Sequence, residues 1–361
     1  MRILITGVGG VTPRSFAQAL RKYSKYALYE LIGTDSNQYA LGLYMPELFN
    51  KSYLVPKVSD PEYWSVIDSI IDEEKIDYAV INPELEVVEW AKRSLSHKFP
   101  FKVLLPDYKL ATLLVDKAKL TEVLEPYGIV PKSFTIEKSD LINKGDLKLP
   151  FPFWIRSAFG SSGLGSMKIN SGDELKNWIL VNPKVDKFLA SEFLPGRNLG
   201  CKLLYHNGEL IRSAIAERVF YIMSKVSPSG ITGNTSFGRL VNDPNVFSIA
   251  KQAMEIMFEK TKSPKHGFFT VDLKEASDGR PMVTEVNIRF VAFNQCYAAG
   301  GANLPEDLIR VLDNDPSFDR KFKLYEFESD MIFLRDVDEQ PIIMKETQLL
   351  NQCIGKKEVK S

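Results

Sequence analysis

Residues 271–290 read VDLKEASDGRPMVTEVNIRF, two runs of alternating apolar and polar side chains on either side of an Asp-Gly pair. Alternation with a period of two is typical of half-buried strands, and Asp278-Gly279 favours a two-residue hairpin turn between them. Counting back from that turn places Asp272 directly opposite Glu285. The stretch therefore predicts a β-hairpin that holds two carboxylates side by side.

One face of this predicted hairpin is polar. Side chains two positions apart share a face, so Asp272, Glu285, Asn287 and Arg289 lie together. Carboxylates about 5 Å apart across a strand pair repel each other. Mg²⁺, which prefers carboxylate and amide oxygens together with phosphate, removes that repulsion. Arg289 is then placed to hold a phosphoryl oxygen. The alternative is a solvated polar face on an edge hairpin, and a register slip of one residue would undo the pairing.

The composition excludes several classes of function. Lys+Arg and Asp+Glu both number 46 in 361 residues, so no net charge attracts nucleic acid or an anionic membrane. No apolar run approaches the roughly 20 residues of a membrane span, and the first apolar stretch is too short for a signal peptide. The cysteines are few and far apart, as in reduced proteins, and the histidines show no zinc-ligand spacing. We expect a soluble cytoplasmic protein, of a size typical of enzymes that form homodimers.

Strands and helices alternate at the start of the chain, beginning with a strand at Arg2–Thr6 and a helix near Pro13–Tyr23. This order predicts an α/β fold with a parallel, doubly wound sheet. From Tyr108 onward, helices near Leu110–Tyr127 lead into short strands, which predicts α+β order in the second half. The predicted domains are residues 1–107, residues 108–330 with subdomains near 130–190 and 191–320, and a strand and tail at 331–361.

Two stretches have the glycine content of a phosphate-binding turn. Residues 160–166, GSSGLGS, lie between two predicted strands, and Arg156 precedes them. A flexible hairpin loop is the alternative there. Residues 7–10, GVGG, follow the first strand, and Asp35 ends the second, where a dinucleotide fold places a ribose-binding acid. The third glycine of that fingerprint is missing, so an NAD(P) oxidoreductase remains only as an alternative.

Taken in order, these pieces resemble the ATP-grasp superfamily over residues 1–303. Residues 115–134, VDKAKLTEVLEPYGIVPKSF, resemble the entry helix of that superfamily. Residues 152–169, PFWIRSAFGSSGLGSMKI, resemble its phosphate-gripping strand and loop. Residues 190–204, ASEFLPGRNLGCKLL, resemble the adenine-binding hinge of the superfamily, and residues 271–290 resemble its metal-ligand hairpin. Arg156 and residues 285–301, EVNIRFVAFNQCYAAGG, are similar to the carbamoyl-phosphate-synthase-like branch.

The resemblance implies a two-lobed ATP-grasp fold behind a pre-ATP-grasp domain, and it implies roles for particular residues. Mg²⁺, with Mn²⁺ as an alternative ion, is expected on Asp272, Glu285 and Asn287. The residues expected to bind ATP are Lys117, Arg156, Ser161, Ser162, Gly163, Gly165, Glu192, Phe193, Leu194 and Asn198. Members usually carry a ribose-binding glutamate after the hinge glycine, whereas Arg197 and Asn198 follow Gly196 here.

The activity implied by the resemblance is an ADP-forming carboxylate–amine ligase that acts on small molecules through an acyl phosphate. Arg289, Arg156 and Lys117 are the expected catalytic residues, because each would hold phosphate oxygens during transfer. Arg218 and the loop at 227–238 are candidates for binding the carboxylate or its reaction partner. The alternatives are a kinase that phosphorylates a small acid, the oxidoreductase, and a nucleotide-binding protein without catalysis, which Asn198 motivates.

Overall fold

The computed structural model describes residues 1–138, 149–160, 163, 165–231, 234–336 and 342–348, without the side chains of 342, 344 and 348. Three β-sheets follow one another along these residues. The predicted α/β fold is confirmed. The tail predicted beyond residue 348 lies outside the described residues.

The first sheet is parallel, with strands in the order β3-β2-β1-β4-β5. The strands are β1 (Arg2–Thr6), β2 (Glu30–Asp35), β3 (Lys51–Leu54), β4 (Tyr78–Val80) and β5 (Lys102–Val103). They are connected by α1 (Val11–Tyr23), a 3₁₀ turn (Leu41–Tyr44), α2 (Tyr63–Glu74) and α3 (Glu84–Arg93). Ile3 and Ile5 pack into one hydrophobic layer and Leu4 into another, and all three are fully buried. Burial on both faces explains the continuous apolar run of β1.

Helix α3 is not among the predicted elements, although its sequence carries helix signals. Val87, Trp90 and Ala91 are buried at helical spacing. Acidic residues occupy the first turn and basic residues the last, which suits the helix dipole. The apolar spacing and the charged ends extend over only ten residues, directly after strand β4. For this reason the sequence pattern did not predict a separate helix here.

The second sheet is antiparallel, in the order β6-β9-β7-β8. Its elements are β6 (Ser133–Glu137), β7 (Phe153–Ser157), β8 (Met167–Ile169), α6 (Gly172–Val181) and β9 (Lys187–Glu192). Helices α4 (Tyr108–Leu114) and α5 (Lys117–Leu124) and a 3₁₀ turn (Glu125–Tyr127) precede it. Leu175 and Ile179 of α6 pack with Phe153 and Ile155 of β7 in one hydrophobic cluster.

The third sheet carries the predicted hairpin and runs in the order β14-β13-β10-β11-β12-β16-β17, with β15 beside β11. Its strands are β10 (Asn198–His206), β11 (Glu209–Tyr221), β12 (Thr235–Val241), β13 (Gly267–Glu275), β14 (Pro281–Asn287), β15 (Lys323–Leu324), β16 (Met331–Leu334) and β17 (Ile342–Lys345). Its helices are α7 (Pro244–Thr261), α8 (Asn294–Ala299) and α9 (Leu304–Asp313), and a 3₁₀ turn follows at Glu346–Gln348. Among the described residues, no helix combines the length and apolar character needed to cross a membrane.

The loop predicted at 227–238 is wrong at its C-terminal end, because β12 already begins at Thr235. Gly238 lies within that strand. A Cβ atom there would lie 2.3 Å from Cζ of Phe333 and 2.6 Å from the carbonyl oxygen of Glu217. This glycine therefore permits a close approach inside a sheet and does not mark a loop.

Glu86, in the first turn of α3, gives the N-terminal region a pH-dependent contribution to stability. The Tyr63 hydroxyl donates to its Oε2 at 3.0 Å. Burial raises the pKa of Glu86 to about 7, against the opposing hydrogen bonds from Thr6 and Tyr63. The folded-state pKa lies above the unfolded value of 4.5, so folding favours the protonated carboxyl. Its stabilising contribution is present below about pH 4.5 and is lost as the pH rises through 7.

We predict that Glu86→Gln raises the free energy of unfolding by up to about 3 kcal/mol at pH 8 and by under about 1 kcal/mol at pH 5, because glutamine stays neutral at both. Urea unfolding at the two pH values measures this difference. Glu89→Gln, at a half-exposed position on the same helix, is the control and should show no such pH-dependent gain. An equal gain from Glu86→Gln at both pH values would contradict the prediction.

Candidate active site

Strands β13 and β14 pair so that Asp272 stands directly opposite Glu285, as the sequence predicted. The faces also divide as expected. Val271 and Val286 are buried in the hydrophobic core, while Asp272 and Glu285 line a cavity on the other side. The hairpin therefore presents two carboxylates to a shared space.

The turn of this hairpin differs from the predicted one, and a bulge compensates for it. The amide of Ala276 donates to the carbonyl of Arg280 at 2.9 Å, which leaves three residues in the loop instead of two. This shifts the register by one residue. Thr284 is then bulged out, since Asp272 pairs with Glu285 while Leu273 pairs with Val283. The two shifts cancel, and the carboxylate pair is preserved.

Asp272 is held by two hydrogen bonds. Arg218 on β11 donates from Nη2 to Oδ1 at 2.6 Å, and Asn287 donates from Nδ2 to Oδ2 at 3.3 Å. Gly200 lies between the two charges, and a Cβ atom there would stand 3.1 Å from Nη2 of Arg218. Burial raises the pKa of Asp272, and the nearby charge of Glu285 adds to this against the opposing effect of Arg218. For Arg218, burial lowers the pKa, but Asp272 outweighs burial and the pKa lies above its ordinary value.

Glu285 faces two cations from other segments. Nζ of Lys117 lies 3.9 Å and Nη1 of Arg156 lies 3.6 Å from its Oε2. Both cations make their hydrogen bonds elsewhere, Lys117 to the carbonyl of Gly160 and Arg156 to the carbonyl of Thr284. Burial lowers the pKa of Arg156, and the charge of Glu285 opposes this. The two cations thus offset the charge of Glu285 without forming hydrogen bonds to its oxygens.

The start of α5 fixes the position of Lys117. The side chain of Asp116 caps the helix by accepting from the amides of Ala118 and Lys119, each at 3.1 Å. The amide of Lys117 donates to the carbonyl of Ala158 at 3.1 Å. Lys117 is 6% exposed, so its side chain is buried at the site and is not a solvated residue of the helix surface.

The oxygen donors of the hairpin fit a hard divalent cation. Among the described residues, no group of three or more His, Cys, Asp or Glu side chains is arranged around a metal position. Asp272 and Glu285 are two carboxylates, and Asn287 adds an amide whose Oδ1 stays available because Nδ2 faces Asp272. Each carboxylate oxygen retains a second lone pair. Such a donor set suits Mg²⁺, which completes its shell with phosphate and water.

The carboxylate pair opens into a cavity of about 610 Å³. Lys117, Arg156, Asn287 and Arg289 line it beside the pair. Of the predicted glycine loop, Gly160, Gly163 and Ser166 line the cavity. Ser161 and Ser162 lie outside the described residues.

Gly165, predicted to bind phosphate, is placed differently. It is buried with φ +62°, and a Cβ atom there would lie 3.2 Å from Phe188. Its carbonyl accepts a hydrogen bond from Trp178 Nε1 at 2.9 Å. Gly165 therefore serves the packing of the second sheet, and its prediction as a cavity residue is not supported.

A second cavity of about 230 Å³ adjoins the first. Glu192, Phe193 and Leu194 of the predicted hinge line it. Asn198 and Trp154 line both cavities and so mark their junction.

A salt-bridge network fixes the backbone beside this second cavity. Arg197 donates to Glu275 Oε2 at 2.9 Å and to Asp243 Oδ2 at 2.8 Å. Lys274 Nζ donates to the carbonyl of Gly196 at 2.7 Å. These contacts hold the chain immediately before Asn198.

In the glycine turn after β1, the acid expected to bind a ribose bonds to backbone amides. Asp35 accepts from the amide of Gly9 at 2.7 Å and from that of Asn37 at 2.8 Å, so its carboxylate closes the turn itself. Gly7 has φ +69°, and a Cβ atom there would lie 2.5 Å from Cγ of Pro83. Close packing accounts for this glycine, so neither Gly7 nor Asp35 supplies an observation in favour of the oxidoreductase alternative.

Several cavity residues were not predicted from the sequence. They come from the start of α1, from β7, from the end of β11 and from the segment before α8. They are Val11, Thr12, Trp154, Tyr221, Ala292 and Phe293. Of the predicted loop at 227–238, Asn234 and Thr235 line the cavity. The positive φ of +58° at Phe293 is a structural signal with no counterpart in sequence pattern.

No family model matches the chain. The vancomycin/teicoplanin A-type resistance protein VanA of Enterococcus faecium is 25% identical over 225 residues, which are 57% of this chain and 63% of that protein. A D-alanine–D-alanine ligase of Flavobacterium johnsoniae is 31% identical over 117 residues, 31% of this chain and 36% of that protein. The chain thus matches less than two thirds of the length of either curated relative.

Solved structures match over a larger part of the chain. The L-amino acid ligase from Bacillus licheniformis has a TM-score of 0.64 at 14% identity, covering 92% of this chain and 78% of its own. The N5-carboxyaminoimidazole synthetase from Staphylococcus aureus, complexed with ADP, has a TM-score of 0.67 at 17% identity, covering 92% and 81%. At these identities the likeness concerns the fold alone.

The cap on α5 links stability to the position of Lys117. We predict that Asp116→Ala lowers the free energy of unfolding by about 1 kcal/mol, because two amides lose their acceptor, and also weakens nucleotide binding. Urea unfolding and a thermal shift with Mg²⁺ and ATP measure the two effects. Asp107→Ala removes the equivalent cap of α4 and is the matched control. It should cost similar stability and leave the nucleotide shift intact; equal loss of that shift in both variants would refute the assignment.

Proposed function

We propose that this chain, which has the ATP-grasp fold, is an ATP-dependent, ADP-forming carboxylate–amine ligase acting on small molecules through an acyl phosphate. The observation that supports this most directly is the carboxylate pair of Asp272 and Glu285. Cations from three other segments surround this pair beside a divided cavity. Such an arrangement suits phosphoryl transfer, in which catalysis is mostly positioning and charge neutralisation.

In this proposal the nucleotide lies across both cavities. The base occupies the smaller one, against Phe193 and Leu194, and the phosphates extend past Asn198 into the larger one. The amide or carbonyl of Asn198 is the group nearest to a ribose position in this arrangement. Its side chain stands in place of the glutamate usual in the superfamily.

Lys117, Arg156 and Arg289 hold the phosphate oxygens. Within the described residues, Nε of Arg156 and Nε of Arg289 are buried and have no hydrogen-bond acceptor. A buried donor without a partner costs about 1–3 kcal/mol, and an anionic ligand offsets that cost. Mg²⁺, or Mn²⁺ in its place, would be held by Asp272, Glu285 and Asn287 and would neutralise β- and γ-phosphate oxygens.

The reaction proceeds in two displacements. A carboxylate oxygen of the acid attacks the γ-phosphorus, the bond to the β–γ bridging oxygen breaks, and ADP leaves. The amine nitrogen then attacks the acyl carbon, inorganic phosphate leaves and the nitrogen loses a proton. Arg156 and Lys117 keep their charges close to the transferred group in both steps. Enclosure of the cavity limits competing hydrolysis of the acyl phosphate.

We predict that Glu285→Gln abolishes magnesium-dependent stabilisation by ATP, because one of the two carboxylates needed for the cation is lost. A ligand at about 100 times its Kd stabilises by roughly 2.7 kcal/mol, which a thermal unfolding scan resolves. Asp278→Asn, exposed in the turn of the same hairpin, is the matched control and should keep the shift.

ADP release with and without an amine then separates a ligase from a kinase, since a kinase needs no amine. An unchanged ATP shift in Glu285→Gln would overturn the site. A shift with NAD⁺ or NADP⁺ alone would overturn the proposed function.

A further inference from the structure

The larger cavity extends from the carboxylate pair to the N-terminal end of α1. Thr12, Tyr221, Thr235 and Phe293 line this end. They are neighbours in space, because Tyr221 pairs with Thr235 across two strands and Nδ2 of Asn294 donates to the carbonyl of Thr12 at 3.5 Å. This part of the cavity lies beyond the phosphate-binding groups and is where an acid substrate would be held.

Two guanidinium groups stand directly behind the wall at this end. Arg14 donates from Nε to the carbonyl of Gly10 at 3.2 Å, and Arg335 donates from Nη1 to the carbonyl of Thr235 at 3.0 Å. Burial lowers the pKa of both, and for Arg335 the charge of Arg14 contributes to this. Within the described part of the chain, neither guanidinium forms an ion pair with a carboxylate. Two partly buried like charges without a counter-ion favour an anion.

The start of α1 adds to this positive field. Its N-cap, Gly10, offers no side-chain acceptor, and its first turn contains no acidic residue. Val11 and Thr12 line this end of the cavity, and no side chain caps the amides of the first turn.

Within the described part of the chain, no residue that lines this end carries a carboxylate for an ammonium group. Among the described lining residues, the only acids are Asp272 and Glu285, which belong to the cation site. Glu84 lies near Arg289 and Lys117, with the phosphate-binding groups. Glu217 is paired with Arg239 at 3.3 Å. An amino acid bound here would bring its ammonium next to arginines and leave it without a counter-charge.

We propose that the acid substrate carries a second oxyanion, a carboxylate or a phosphoryl group, and no ammonium group, and that this oxyanion binds at the α1 end of the cavity in the field of Arg14 and Arg335. This inference rests on the proposed ligase function and names its substrate class. It separates this chain from the curated D-alanine–D-alanine ligase relative, whose named substrate is a zwitterion.

A panel of small acids with hydroxylamine as the common amine tests the proposal, because hydroxylamine converts any acyl phosphate to a hydroxamate and leaves the acid as the only variable. The acids are butyrate, 2-aminobutyrate, succinate and 3-phosphonopropionate, similar in length and different in charge. We expect kcat/KM for succinate or 3-phosphonopropionate to exceed that for butyrate at least tenfold, and 2-aminobutyrate to be the poorest. The two dianions distinguish a second carboxylate from a phosphoryl group.

Arg14→Gln and, separately, Arg335→Gln should raise KM for the preferred dianion about tenfold and reduce its preference over butyrate. Arg335→Lys should retain most of the preference. Lys22→Gln, at an exposed position in the last turn of α1, is the control.

Equal use of butyrate, preference for 2-aminobutyrate, or no hydroxamate from either dianion by protein that still shows the magnesium-dependent ATP shift would overturn the inference. Loss of the ATP shift itself in the unmodified protein would instead count against the proposed function.

Discussion

Two carboxylates held face to face on a hairpin set the electrostatic problem that the rest of the site solves. At 5 Å and an effective dielectric constant of 20, two like charges repel by about 3 kcal/mol. Arg218 reaches Asp272 across the gap left by Gly200, and Lys117 and Arg156 approach Glu285 from α5 and β7. The carboxylates of the third sheet thus meet Lys117 of α5 and Arg156 of the second sheet, and the start of α1 lines the same cavity. These three cations offset the charge of the pair and leave it open to the cavity.

The two carboxylates differ in their hydrogen bonds, and this difference matters for the proposed mechanism. Asp272 accepts hydrogen bonds on both oxygens, whereas the cations near Glu285 stand at 3.6 and 3.9 Å and bond to carbonyls instead. In the proposed function, Lys117 and Arg156 would hold phosphate oxygens, and Glu285 would be one of the residues that hold the metal ion. Binding of the nucleotide and of the cation would then be coupled through these three side chains.

The pairing of Asp272 with Glu285 could be predicted because strand alternation is a local sequence pattern. Features that depend on contacts between residues far apart in the chain could not be predicted in this way. The ATP-grasp resemblance is confirmed at the level of the fold. The pairing of Asp272 with Glu285 came out correctly although the turn was wrong, because the bulge at Thr284 cancels a longer loop. The backbone amide of Gln295 donates a hydrogen bond to the hydroxyl of Ser15, 280 residues earlier, where α8 packs against α1. No local sequence pattern predicts this contact. Asp35 shows the opposite failure: its position after a strand suits a ribose-binding acid, but its oxygens are used by the amides of the neighbouring turn.

In the proposed function, the charges along the cavity divide it into a part beside the hairpin for phosphoryl transfer and a part at the α1 end for binding the acid. Beside the hairpin, cations and carboxylates alternate, which suits a metal ion and a polyphosphate that must both arrive and leave. At the α1 end, Arg14, Arg335 and an uncapped helix terminus have no acidic counterpart among the described residues. The residues that line this end come from α1, β11, β12 and the segment before α8, and Arg335 directly follows β16. A shared fold does not fix a substrate, and the two similar solved structures are named as an L-amino acid ligase and an N5-carboxyaminoimidazole synthetase.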